Sequence, residues 1–149
     1  MRNTVIVCVD TAFISKKRRL IILAKRRAKP MQNWWFIGGR MKIGESERVA
    51  AHRCIARETR LVIDQEKLIP VTMTRHHFNS RQQEPQNLGC DSLCYNFALE
   101  LGPRMVDQAS NNLDKQEYEE VGLKAFDRAE LVKEKVDQAV IDIYDLIFP

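Results

Sequence analysis

From Ser92 to Leu101 large apolar residues alternate with small or polar ones: Leu93, Tyr95, Phe97, Leu99 and Leu101 interleave with Ser92, Cys94, Asn96, Ala98 and Glu100. A period of two is that of a strand with one face buried. Thr4–Val9 and Arg19–Lys25 are short aliphatic, β-branched runs joined by a polar, basic link, the pattern of an antiparallel hairpin. Leu68–His77 and Tyr118–Phe126 read as further strands. Asn79–Gly89 and Pro103–Lys115 are polar and rich in turn residues, and both read as loops. Ser46 precedes a run without Gly or Pro from Glu47 to Arg60, and its hydroxyl can cap the free N–H groups of a helix start. After a break near Lys135, Val136, Val140, Ile143 and Ile147 are spaced by four, three and four, so a last helix should bury one face against the sheet. Strands first, a mid-chain helix, more strands and a terminal helix predict an α+β fold. Its layers run α/β/α, with a mixed β-sheet sandwiched between helices.

A length of 149 residues suits one hydrophobic core, so residues 1–149 are expected to form a single domain. Hydrophobic residues are 44% and charged residues 30%, with 6 Gly and 5 Pro, which excludes a disordered or collagen-like chain. The apolar runs Val5–Val9 and Leu20–Ala24 are about a quarter of a bilayer span, and Asp10 ends the first, so neither membrane insertion nor secretion is expected. Four cysteines are too few for a disulfide scaffold at this length, and a reducing cytoplasm fits them.

Charge is distributed unevenly. Residues 1–60 hold 15 Lys/Arg against 4 Asp/Glu and residues 61–149 hold 9 against 16, giving halves of +11 and −7. The asymmetry points to an anionic ligand near the first half, unless one half neutralises the other across the fold. Lys16–Arg19 and Lys25–Arg27 could attract nucleic acid, but a basic hairpin beside a nucleotide pocket explains them equally, and no specific nucleic-acid motif accompanies them. His76, His77, Cys90 and Cys94 raise the question of zinc. Their spacing argues against it, because Cys94 lies on a predicted strand and adjacent histidines point to opposite faces.

The densest chemistry runs from Trp34 to Leu61. Gly38 and Gly39 allow close backbone approach, Glu45 ends the following loop, and Glu58 lies on the predicted helix. Gly39, five residues, Glu45, seven residues and Arg53 reproduce the opening of the Nudix box, Gly-x5-Glu-x7-Arg-Glu-U-x-Glu-Glu-x-Gly-U with U aliphatic, and the chain resembles a Nudix hydrolase. Ile55, Glu58 and Leu61 also match, whereas Cys54, Arg57 and Arg60 stand where the box has Glu, Glu and Gly.

The resemblance implies that box glutamates hold divalent cations against a pyrophosphate. With only Glu58 retained, it implies one metal ion, Mg²⁺ or alternatively Mn²⁺, since Mg²⁺ often takes only one or two carboxylates. The GDP-mannose mannosyl hydrolase branch looks similar: it keeps the last box glutamate, lacks the two before it, and has an arginine after the glycine pair, here Arg40. Trp35–Arg40, Lys29-Pro30 and His77-Phe78 extend the likeness, which is best over residues 19–61.

That branch releases the whole sugar of a nucleotide sugar by attack of water at the anomeric carbon. The resemblance therefore implies a nucleotide or nucleotide-sugar substrate, GDP-mannose-like, held by Arg26, Gly38, Gly39, Arg40 and His77, with Arg40 and Arg53 stabilising the leaving phosphate. Arg53 has an alternative role, bracing the loop through Glu45. The branch's histidine base has no counterpart before the last helix, so Glu119 or Glu120 is expected as the base. A homodimer is left open. The rival reading is an impaired domain that binds nucleotides as a sensor or regulatory module.

Overall fold

A computed structural model describes residues 5–28, 31–80 and 84–149. Thr4 and the Lys29-Pro30 pair lie outside the described residues. The strands are β1 (Ile6–Ser15), β2 (Leu20–Arg26), β3 (Trp34–Trp35), β4 (Ile37–Arg40), β5 (Ile69–Phe78), β6 (Cys90–Glu100) and β7 (Tyr118–Phe126). The helices are α1 (Glu47–Thr59), α2 (Pro103–Asn112), α3 (Arg128–Lys133) and α4 (Gln138–Ile147), with a 3₁₀ turn at Gln65–Lys67. The expected hairpin is present: β1 pairs antiparallel with β2, Phe13 facing Ile22.

The seven strands form one mixed sheet. β1 and β6 run parallel, with Cys8 beside Cys94 and Asp10 beside Asn96. The other edge of β1 is divided, its second half pairing with β2 and its first half with β4. One face of the sheet carries Val9, Phe13 and Phe97 against Ala51, Cys54 and Ile55 of α1 and Ala109 of α2. The other carries Ile14, Leu23 and Trp34 against Leu131 of α3 and Val140 and Ile143 of α4. Helices cover both faces, giving the α/β/α layering. No helix among the described residues is long and apolar enough to cross a membrane.

Three expectations need correction. The stretch Pro103–Lys115 is not a loop; α2 occupies most of it, with Pro103 at its start. Met105, Val106, Ala109 and Leu113 form a narrow helical stripe packed against the α1 side of the core, and a polar majority hid it. β6 does not have one wet face, since Ser92, Cys94 and Asn96 are buried like Phe97 and Leu99, because elements pack on both sides. β1 continues six residues past Val9, the expected end of the strand, because Asp10, which ends the apolar run, is buried together with Thr11. The last helix is also preceded by α3, whose start carries a reciprocal capping box between Asp127 and Glu130.

The glycine pair is fixed by packing on two sides. A Cβ at Gly38 would run into the Val9 carbonyl oxygen and the Asp10 carboxylate, whereas one at Gly39 would lie 2.7 Å from Arg57 Nη2 and 3.1 Å from Cys54 Sγ. Gly38→Ala should therefore force β4 off β1 and cost at least ~1–3 kcal/mol, read as a lower denaturation midpoint.

Candidate functional site

Where β4 meets α1 the chain makes a tight, braced loop. Ser46 Oγ accepts from Val49 N at 3.2 Å and starts α1. Arg53, about two turns further on, donates from Nη2 to Glu45 Oε2 at 2.9 Å and to the Arg40 carbonyl at 2.8 Å, and Lys42 N donates to Glu45 Oε2 at 2.8 Å. One guanidinium thus ties both ends of the loop to the helix. Hydrogen bonding from Arg53 holds the Glu45 carboxyl down to about 2, from an ordinary value of 4.5. A lowered carboxylate contributes stability that is complete above 4.5 and lost as pH falls towards about 2. Glu45→Gln should flatten the decline of Tm with acid over that window, which thermal melts at stepped pH would read.

Behind the loop lies a cavity of about 510 Å³. Gly38, Gly39, Arg40, Arg53, Arg57 and Glu58 line it from the loop side, Arg26 from the end of β2, and Glu117 from the turn before β7. The helix faces it with an altered set of groups. Cys54, at the first vacated carboxylate position, is fully buried and its thiol is pushed up by burial. Arg57, at the second, donates to Glu58 Oε1 from Nη2 at 2.8 Å and from Nε at 3.1 Å. Glu58 itself is 6% exposed, and burial raises its pKa, with the facing Glu117 adding to the effect and Arg57 and Arg26 opposing it. Arg26 lies 5.9 Å from the Tyr118 ring centre, and its Nε is buried without a hydrogen-bond partner. Arg26 lines the cavity, and a guanidinium there is suited to a phosphate oxygen.

The structure gathers Arg26, Gly38, Gly39, Arg40, Arg53 and Glu58 around one space. It does not bring Glu119, Glu120 or His77 there. Glu119 pairs with Lys25 at 3.7 Å, Glu120 is exposed on β7, and His77 turns outward to Asp91 at 3.2 Å. In their places stand Glu117 and His76, each one position or more earlier. Alternation along β5 is the signal that could have separated the histidines, because only one of two neighbours can share the inner face with Phe78. Glu117 is a turn residue just ahead of a strand, where side chains collect at a sheet end. The four-residue zinc grouping His76, His77, Cys90 and Cys94 is likewise not assembled as a set, since His77 faces away.

The NUDIX domain family model matches residues 4–147. A MutT NUDIX hydrolase from Burkholderia pseudomallei superposes with a TM-score of 0.72 at 16% identity, covering 97% of this chain and 99% of that one. The NUDIX domain of Shewanella oneidensis NrtR, solved with ADP ribose, gives 0.64 at 12% identity over 99% and 90%. A MutT/nudix family protein from Enterococcus faecalis gives 0.55 at 19% identity; 85% of this chain is covered, and it spans 45% of that protein's length. At such identities these structures speak to the fold alone. No curated protein matches the sequence.

Proposed function

This chain belongs to the NUDIX domain family, and on that premise we propose that residues 1–149 form one domain that hydrolyses a nucleotide sugar of the GDP-mannose class, releasing the sugar by attack of water at its anomeric carbon. The observation that carries this reading is Arg57 on Glu58: a guanidinium occupies a position where the box has a metal-binding carboxylate. The remaining donor, a buried carboxylate at the cavity wall, fits one hard cation whose other positions are taken by water and substrate oxygens. When bound there, Mg²⁺ or Mn²⁺ supplies Lewis-acid stabilisation of charge on the leaving phosphate.

The chain's own groups would do the rest. Arg26, Arg40 and Arg57 bind the diphosphate, and Arg53 holds the loop that presents Arg40. Glu117 accepts the proton of the attacking water as its oxygen bonds to the anomeric carbon, and the carbon–oxygen bond to the diphosphate breaks with its electron pair going to the leaving group. Its place in the cavity lining favours Glu117 over Glu119 and Glu120. The Arg57–Glu58 pair also favours one alternative, a nucleotide-binding module without turnover, because a guanidinium on the proposed metal-binding carboxylate competes with the cation.

That competition is measurable. Arg57→Gln should tighten Mg²⁺ binding by roughly fivefold, the ~1 kcal/mol scale of a partly exposed ion pair, while weakening nucleotide binding; calorimetry of both ligands checks it. The function itself is tested by incubating the protein and Mg²⁺ with GDP-mannose, GDP-glucose, ADP-ribose and a dinucleoside tetraphosphate. Nucleoside diphosphate and free sugar from a GDP-sugar support the reading. Nucleoside monophosphate as the product contradicts it, and saturable binding without any product selects the module.

A further inference from the structure

The same cavity has a second wall that the proposed chemistry does not use. Cys8 and Asp10 of β1, Cys94 of β6 and His76 of β5 all line it. Ligand atoms of Asp10, His76 and Cys94 lie within 4.8 Å of one another, the only such grouping of three or more His, Cys, Asp or Glu side chains among the described residues. The fold makes this meeting inevitable. β1 and β6 run parallel with Cys8 beside Cys94, so Asp10, two residues on, shares their face, and β5 pairs antiparallel with His76 opposite Ser92, two residues from Cys94. Sequence spacing could not reveal a set drawn from three strands.

We propose that Asp10, His76 and Cys94 form a zinc site, with the fourth coordination position open to the cavity and taken by water. One carboxylate, one imidazole and one thiolate are a donor set zinc accepts, and three protein ligands plus an open position are the arrangement of reactive rather than purely structural zinc. Binding releases the Cys94 Sγ–H proton to solvent as the zinc–sulfur bond forms, with no change of oxidation state. The charges on Asp10 and Cys94 then balance those of the ion. Burial is the largest influence on Asp10 and raises its carboxyl to about 6, so a cation would relieve a desolvated charge there.

Supporting groups surround the donors. Thr74 Oγ1 lies 2.9 Å from His76 Nε2 and accepts from Asn96 Nδ2 at 2.9 Å, holding the ring, and Trp35 packs edge-on against it at 5.4 Å. Cys94 Sγ donates to Ser92 Oγ at 3.8 Å, and Cys8 stands beside it on β1. The positive charge of Arg26 acts on Asp10 and disfavours a cation held by charge alone. A thiolate bond therefore has to carry much of the affinity, which selects zinc over magnesium. This inference is independent of the proposed sugar release, because it uses none of Glu58, Arg57 or Glu117.

Cobalt substitution tests it directly. The full chain, stripped of metal with a chelator and kept reduced, is titrated with Co²⁺ and followed by absorption, with circular dichroism confirming that every variant folds. One equivalent should give tetrahedral ligand-field bands and a thiolate-to-cobalt charge-transfer band that Zn²⁺ abolishes. The charge-transfer band should vanish in Cys94→Ala, survive in Glu58→Gln, and require at least ~10-fold more Co²⁺ in His76→Gln. No thiolate band in the parent, or a band that persists in Cys94→Ala, overturns the site. Should Cys94→Ala fail to fold, unchanged Co²⁺ affinity in His76→Gln overturns it equally.

Discussion

Replacing Glu58 by Gln should leave a folded protein whose metal-dependent turnover is lower by roughly 10²- to 10³-fold, the scale on which losing one electrostatic contact to a developing charge is felt. The structure gives reasons for both halves of that expectation. Glu58 is buried at the end of the box helix and is the carboxylate retained there after Cys54 and Arg57 replace the others, so no neighbouring acid on α1 can take over a cation. An amide oxygen is a poor ligand for a hard ion compared with a carboxylate. It still accepts from Arg57, whose Nη2 lies 2.8 Å from the present oxygen. Because burial pushes the Glu58 pKa up, a neutral side chain relieves a desolvation cost, and Tm should hold or rise. Calorimetry with Mg²⁺ and a nucleotide analogue separates the two effects; unchanged metal binding in a folded variant would remove Glu58 from the metal site.

Glu117→Gln carries the other large effect. Loss of a general base typically removes 10²- to 10⁴-fold of rate, so kcat should fall by about that factor with little change in KM. Glu120→Gln, on an exposed stretch of β7, should keep parental kinetics and serves as the control. A Glu117→Gln enzyme with the parental rate would return that carboxylate to the role of a cavity wall.

Why Glu117 was harder to see than Glu58 follows from how each is placed. Glu58 is positioned by a helix whose start, length and phase are encoded locally: Ser46 caps it, no helix breaker interrupts it, and seven residues separate Glu45 from Arg53. The brace between those two residues was readable for the same reason. Tyr118–Phe126 was legible as a strand to its last residue, but which glutamate near its start meets the cavity depends on the turn at Asp114–Glu117, fixed by hydrogen bonds from Glu117 N and Tyr118 N to the Asp114 carbonyl. α2 escaped because its apolar stripe is narrow and its N-cap, Gly102, makes no side-chain hydrogen bond. Cys54 and Arg57 were visible as departures from the box. Their consequence, a guanidinium seated on the surviving carboxylate beside Gly38 and Gly39, needed the third dimension.

In the proposed reaction water attacks carbon, with one cation and a set of arginines stabilising the departing diphosphate. The deciding measurement is turnover of GDP-mannose in ¹⁸O-labelled water with Mg²⁺. Attack at carbon puts the label in the released sugar and leaves the nucleoside diphosphate unlabelled; label in a phosphate product would place the attack at phosphorus and rule out sugar release by this route.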